Sequence, residues 1–445
     1  VPLWWAPHAW LGGPTTASDV VVEVKGDRIA AVTAGVHGPP ASSIRLRGLL
    51  LPGLANTHSH AFHRALRGRT HEQMGSFWSW RRLMYDVADR LDPDGYLRLA
   101  RAVYSEMAVA GFTAVGEFHY LHHGPGGVPY RDSNAMGRAL MEAARQAGIR
   151  LTLLDACYLR GGLDDPLEGV QLRFGDGTAA AWADRVAALA SPVPDAGVRL
   201  GGAIHSVRAV APADMAVVAG WATGSGWPLH AHVSEQRREQ DECLAVLGTT
   251  PLSVMAESGA VGAAFTAVHA THFSAGDTDR LAAAGGFCCA CPTTEQDLGD
   301  GLGPFAALHN AGVRLTVGSD SHAVVDGFHE ARAIELSARL AEQQRGLIPS
   351  SALLDAATTN GMAALGWDAG RLEPSRLADF VTVRLDTVRT SGVDPGLTAA
   401  AVFAATAADV DTVVVGGRTV VEEGRHLLVP DVAAEMAAAV AAVTP

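Results

Sequence analysis

Eight short apolar runs, set between alanine-rich segments from residue 49 to residue 319, constrain this chain more than any other feature it has. They are Leu49–Asn56, Phe112–Phe118, Leu151–Cys157, Val198–Ile204, Trp227–His232, Phe265–His269, Gly286–Cys291 and Val313–Ser319. Runs of this kind read as buried strands, and their alternation with helical segments is the pattern of βα units around a parallel sheet. Eight units predict a (β/α)8 barrel, where chemistry sits at the C-terminal strand ends because the loops there converge on one mouth. Polar residues fall at those ends: His58 and His60 after the first run, Glu117 and Tyr120 after the second, His205 and Arg208 after the fourth, His232 after the fifth, His269 after the sixth and Asp320 after the eighth.

The two ends of the chain have a different texture. Val20–Val24 and Arg28–Thr33 flank the turn Lys25-Gly26-Asp27, a hairpin pattern. Ala378–Val383, Thr412–Val415 and Arg418–Val421 are further β-rich runs, the last two divided by Gly416-Gly417. Both termini are therefore expected to pair into one small β-sandwich, with residues 1–50 and 371–445 flanking a barrel of residues 51–370, and Asp431–Val443 forming a packing helix. A chain of 445 residues with 48% hydrophobic composition is long enough for both units.

Composition narrows the function classes. A net charge of −13 with no basic stripe argues against a nucleic-acid partner. No uncharged apolar stretch reaches the roughly 18 residues of a membrane span, and Val1–Trp10 lacks the layout of a secretory signal, so the expectation is a cytoplasmic protein. Five clustered cysteines are too few for a disulfide framework; the Cys-x-x-Cys spacing of Cys288 and Cys291 has no partner pair and reads as buried thiols.

Thr57-His58-Ser59-His60 carries the metal signal. Two histidines two apart at a strand end point to one side and reach one divalent ion. A lone strand histidine reads as a hydrogen-bonded core residue, but His58, His60, His232 and Asp320 in this order form a nitrogen-rich, partly anionic set that suits zinc or ferrous iron better than calcium or magnesium. Lys25 is the only lysine and lies ahead of the barrel. No carbamylated lysine is then available to bridge two metals, and a mononuclear site, with zinc favoured, is expected. His232 is preferred to His230 because Glu235 then stands three residues beyond the ligand, placed to move a proton without ligating. His269 and Asp320 are candidates to orient the water and take its proton; His272 competes with His269.

A His-x-His on strand one, His-x-x-Glu on strand five, a histidine on strand six and Ser-Asp on strand eight resemble the mononuclear deaminase branch of the amidohydrolase superfamily. Five segments extend the resemblance to the formimidoylglutamate deiminases: His58-Ser59-His60-Ala61-Phe62, Phe77-Trp78-Ser79-Trp80-Arg81, Gly116-Glu117-Phe118-His119-Tyr120, His205–Val210 and His232–Gln236. The resemblance implies one zinc ion per chain, a homodimer, and hydrolysis of N-formimino-L-glutamate to N-formyl-L-glutamate and ammonia in histidine degradation. On that reading Glu235 delivers a proton to the leaving nitrogen. Arg81 and Arg208 hold the two carboxylates of a small dianionic substrate, and His205 and Tyr120 complete its pocket. Phe77–Arg81 is expected in an aromatic loop that folds over the site as a lid. At His63 the chain departs from the family, where a glutamine often helps to hold the substrate; a histidine there can still hydrogen-bond.

Three other readings are weighed against this one. An aminohydrolase of a heterocycle such as guanine or cytosine keeps the metal set and Glu235 but has no need of two arginines. A ring-opening hydrolase of imidazolone propionate releases no ammonia. A non-catalytic scaffold would have lost metal ligands that this chain retains.

Overall fold

The structure, a computed structural model, describes residues 2–70, 77–190 and 195–444. Among these residues the strands form two sheets. Five strands precede the barrel: β1 (Leu3–Ala9), β2 (Ala17–Lys25), β3 (Arg28–Thr33), β4 (Ile44–Arg45) and β5 (Leu49–Pro52). The barrel strands are β6 (Leu54–Ser59), β7 (Phe112–His119), β8 (Arg150–Cys157), β9 (Val198–Ile204), β10 (Leu229–Val233), β11 (Phe265–His269), β12 (Phe287–Ala290) and β13 (Arg314–Val317). Then follow β14 (Phe380–Val383), β15 (Val410–Val415), β16 (Arg418–Glu422) and β17 (Arg425–His426).

β6 to β13 pair in parallel in sequence order, as the eight apolar runs predict. Helices cover the outside, so β7 and β8 are buried at every residue and need no polar face. The seam between β13 and β6 closes at one point, a parallel bridge between Ser59 and Asp320. There the Asp320 N–H donates to the His58 carbonyl at 3.0 Å, and the His60 N–H donates to the Asp320 carbonyl at 3.2 Å. Buried Asn56 reinforces it, donating to Ser319 Oγ at 2.7 Å and accepting from the Ser319 N–H at 2.9 Å.

The first apolar run divides, where a single strand over Leu49–Asn56 is expected. β5 joins the terminal sheet between β1 and β14, and β6 starts the barrel two residues later. Gly53 permits this crossing, because a Cβ there would lie 2.2 Å from Thr113 Oγ1 and force β6 away from β7. The terminal sheet runs in the order β17-β16-β15-β14-β5-β1-β2-β3, with β4 beside β1. Both ends of the chain thus build one β unit, with β2 and β3 as the expected hairpin. Its own core includes Trp4, Val22, Leu50, Phe380 and Val414, with Trp4 and Phe380 edge to face at 5.3 Å. The helix Val432–Val443 lies against the helix Pro93–Val109. Cys157, Cys243, Cys288, Cys289 and Cys291 are all buried free thiols. No helix among the described residues is long and apolar enough to cross a membrane.

One buried ion pair joins the two units. Arg150, at the start of β8, meets Asp379 in two parallel contacts of 2.6 and 2.9 Å, and Asp379 also accepts from the Gly416 N–H at 2.7 Å. The fork geometry and the third donor satisfy a carboxylate that has no access to water. Replacing Asp379 by Ala leaves Arg150 buried without its partner and is expected to destabilise the protein by about 3–5 kcal/mol. Urea denaturation checks this; an unchanged midpoint would mean that the pair contributes nothing.

Candidate active site

β6, β10 and the turn after β13 deliver four side chains to one point. His232 Nε2 lies 3.1 Å from His58 Nε2 and 3.3 Å from His60 Nε2. Asp320 Oδ1 lies 3.3 Å from His58 Nε2 and 3.4 Å from His60 Nε2. His60 Nδ1 contacts the Phe118 carbonyl at 2.9 Å, and His232 Nδ1 contacts the His205 carbonyl at 2.8 Å. A carbonyl only accepts, so both Nδ1 atoms carry the proton and both Nε2 lone pairs face inward. Lone pairs cannot bond to one another across 3.3 Å; a cation between them can satisfy all. Ligands at about 2.1 Å from a tetrahedral metal stand about 3.4 Å apart, which is the spacing found here. The donor set therefore fits a zinc-like ion.

Electrostatics point the same way. Burial lowers the pKa of His58, His60 and His232, which favours the neutral, ligating form. Burial alone would raise Asp320, but the hydrogen bond and charge of His58 and the neighbouring imidazoles hold it well below the usual carboxylate range. Glu235 is raised, chiefly by burial. His269, despite burial, is raised by Glu235, Glu295 and Asp320.

The strand ends that carry these groups are conformationally unusual. Ser234, His269, Ala270, Asp320 and His322 have φ of 54°, 71°, 57°, 41° and 59°, a left-handed backbone that costs non-glycine residues roughly 1–3 kcal/mol each. Neighbouring hydrogen bonds hold it, among them Ala270 N–H to the Val233 carbonyl at 3.1 Å and His272 N–H to the Ser234 carbonyl at 3.0 Å. His269 Nε2 thereby stands 3.8 Å from Asp320 Oδ2 and 3.9 Å from Glu235 Oε1. Its competitor His272 turns to the Asp300 carbonyl at 2.9 Å, and His230, one pleat below His232 on the same face of β10, contacts the Ala364 carbonyl at 3.1 Å.

The cavity above the cluster is lined by His60, His232, Glu235, His269 and Asp320 on its floor, with His63, Arg81, Tyr120, His205 and Arg208 around its wall. His58 is buried beneath them. Tyr120 and His63 meet through Tyr120 Oη and His63 Nε2 at 2.8 Å. His205 stacks edge-on to Tyr158 at 4.3 Å, while its carbonyl orients His232. Arg208 Nε donates to Glu239 Oε2 at 3.3 Å. Arg81 corrects the expectation of a loop: it lies in the helix Phe77–Arg90 and donates through Nε to Tyr85 Oη, one turn on, at 2.6 Å. That i to i+4 contact needs helical spacing, and the helix still turns Arg81 toward the cavity. The aromatic loop expected as a lid spans residues 72–90, of which 72–76 lie outside the described residues.

Three acidic residues support the site in roles that the sequence does not assign, although Glu117 is visible there as a polar group at its strand end. Glu117, fully buried in β7, accepts from Ser59 Oγ at 2.7 Å and the Ala61 N–H at 2.6 Å, gripping the chain on both sides of His60. Burial pushes its carboxyl up to about 8 against the pull of these donors. Its signal was a charged residue inside an otherwise apolar strand. Glu239 orients Arg208 and accepts from the Ser234 N–H at 3.1 Å, but on sequence it is one of several acids on an amphipathic helix. Glu295 contacts His269 Nδ1 at 3.4 Å and has no local signal. Elsewhere, His119, His122 and Asp155 also cluster closely enough for a metal. Asp155 is already held by Arg185 at 2.7 and 2.9 Å and by Trp182 Nε1 at 3.0 Å, and the guanidinium there repels a cation.

Because burial depresses the imidazole pKa values, protons compete for the ligands only below the ordinary histidine range near 6.5. Zinc is expected to stay bound at pH 6 and to be released as the pH falls further. Equilibrium dialysis with metal analysis checks this, and loss of metal centred near pH 6.5 would contradict it.

The profile of the amidohydrolase family matches residues 49–420. The chain is 37% identical over 441 residues to a formimidoylglutamate deiminase of Pseudomonas aeruginosa, covering 94% of this chain and 93% of that protein. It is 30% identical over 383 residues to an 8-oxoguanine deaminase of the same species, covering 85% and 83%. Among solved structures, an amidohydrolase from Brucella melitensis superposes with a TM-score of 0.88 at 31% identity over the whole of both chains. An adenosine deaminase from Xanthomonas campestris with bound zinc shares the fold, with a TM-score of 0.83 at 23% identity and coverage of 99% and 97%. A barrel with its polar groups at one mouth, matched along almost its full length, places this chain in the amidohydrolase family, as a hydrolase acting on carbon–nitrogen bonds.

Proposed function

We propose that this protein hydrolyses N-formimino-L-glutamate to N-formyl-L-glutamate and ammonia. The observation that carries the proposal is the pairing, in one cavity, of a proton-transfer floor with two arginines in its wall. The substrate is an amidine with two carboxylates, and Arg81 and Arg208 offer planar forks for them. Similarity to the formimidoylglutamate deiminase supports the same substrate, whereas similarity to the 8-oxoguanine deaminase favours a heterocyclic amine. A neutral heterocycle offers no carboxylate to these two guanidiniums, so the dianion is preferred.

The residues divide the reaction among them. His58, His60, His232 and Asp320 would hold one divalent ion per chain, zinc by the nitrogen-rich donor set, which when bound would supply Lewis acidity that brings the pKa of a water toward roughly 7. Asp320 and His269 orient the attacking water, and Asp320, the carboxylate held ionised, accepts its proton. Glu235, whose burial favours the protonated form, delivers a proton to the amidine nitrogen so that it leaves as ammonia. Tyr120, His205 and His63 hold the formimino end, with His63 and Tyr120 steadying each other. A place in histidine degradation, a homodimer and a cytoplasmic location complete the proposal, supported by the family resemblance.

Ammonia release from N-formimino-L-glutamate by zinc-loaded protein, with mass spectrometry of the product, tests the substrate. Ammonia together with N-formyl-L-glutamate is expected; release from guanine-type heterocycles alone would overturn the proposal. Glu235→Gln should lower kcat by about 10²–10⁴-fold with metal still bound, and near-normal turnover would remove Glu235 from the mechanism. Arg208→Met should raise KM by on the order of 10²-fold or more, since a charge-assisted pair is lost; a marginal rise would refute its carboxylate role.

A further inference from the structure

His269 meets its carboxylates unequally. Among the described residues its Nε2 is 3.8 and 3.9 Å from the carboxylate oxygens on the cavity side, beyond hydrogen-bond reach, where the ring only stacks on that of His232 at 5.7 Å. On the far side Glu295 Oε1 lies 3.4 Å from Nδ1. The same oxygen accepts from the Cys291 N–H at 2.9 Å, which pins the carboxylate independently of the ring. Glu295 is 3% exposed and belongs to the first turn of the helix Pro292–Leu298. That helix is anchored in turn: Thr293 donates through its N–H at 3.1 Å and through Oγ1 at 2.5 Å to Glu330, which is fully buried.

We infer that Glu295 is a positioning residue for His269, accepting from its Nδ1–H and so directing Nε2 into the cavity toward Glu235 and Asp320. The inference rests on the proposed part of His269 in orienting the attacking water. Its physical basis is the general one for an imidazole at a reacting centre: the hydrogen bond at one ring nitrogen sets both the tautomer and the direction of the other. The left-handed backbone at His269 sharpens the need. With φ at 71°, the ring leaves β11 in a direction that the strand itself does not dictate, and a side-chain partner has to define it.

The zinc-loaded full-length protein allows two independent tests. In protein labelled with ¹⁵N at histidine, the His269 ring should show a proton on Nδ1, and that signal should move in Glu295→Ala. A wild-type His269 protonated on Nε2 alone would overturn the inference without recourse to any variant or substrate. With N-formimino-L-glutamate, Glu295→Ala is expected to lower kcat by about 10–100-fold with KM and zinc content unchanged, and Glu295→Gln, which keeps an acceptor oxygen, should recover most of the loss. In a His269→Asn background the same Ala change should cost nothing further, because the two residues act as a unit. An additive loss, or a loss confined to stability, would assign Glu295 to packing and overturn the inference. If the wild type fails to turn over this substrate, the functional proposal falls, and the ring-nitrogen measurement still decides the role of Glu295.

Discussion

The closure of the barrel and the assembly of its site are one event. β6 and β13 meet through the Ser59–Asp320 bridge, and the two backbone hydrogen bonds there belong to His58, His60 and Asp320. Three of the four inward-facing donors are thus set by the seam rather than by side-chain packing. Asn56 locks the seam from below, and Glu117 holds Ser59 and the Ala61 N–H from the neighbouring strand. A cavity floor built this way has little freedom to relax, which is what a preorganised centre requires. Gly318 shows how tight the arrangement is: a Cβ there would meet His58 Cβ at 2.8 Å and the sulfurs of Cys289 and Cys291 at 3.0 Å.

Such a floor is electrostatically unfavourable without a cation. Neutral imidazoles turned to face one another, beside an ionised Asp320, concentrate lone pairs in a buried place. A divalent ion held there would relieve that repulsion, which would couple metal binding to the stability of the seam. The wall of the cavity follows another logic. Arg208 and Arg81 are engaged by Glu239 and by Tyr85, contacts that hold each guanidinium in the wall of the cavity. In a protein of net charge −13, local arginines of this kind would let the proposed acidic substrate bind against the overall field.

Much of this was legible in the sequence because buried parallel strands leave a strong mark. The apolar runs gave the barrel order, and the polar residue at each run's end gave His58, His60, His232, His269 and Asp320 their place at one mouth. Local pattern failed where the deciding contact was distant in the chain. Leu49–Asn56 reads as one strand because hydropathy does not register that Gly53 must pass Thr113, sixty residues on. Arg81 reads as part of a loop because its aromatic neighbours suggest one, whereas the helix is fixed by tertiary packing as well as by spacing. Glu295 looks like an ordinary acid in a helix start, and only the fold brings it to His269. Lys25, by contrast, reads as lying ahead of the barrel on position alone, and it stands at the end of β2 in the terminal sheet.

The central claim is that the seam of the barrel creates one metal centre from His58, His60, His232 and Asp320. X-ray absorption of protein loaded with one equivalent of zinc tests it directly. The account predicts a shell of nitrogen and oxygen ligands only, near 2.0–2.2 Å, with the histidine scattering lost stepwise when His58 or His232 is replaced by Ala. A sulfur shell near 2.3 Å would place the metal instead at the neighbouring group of His269, Cys291 and Glu295 and contradict the account.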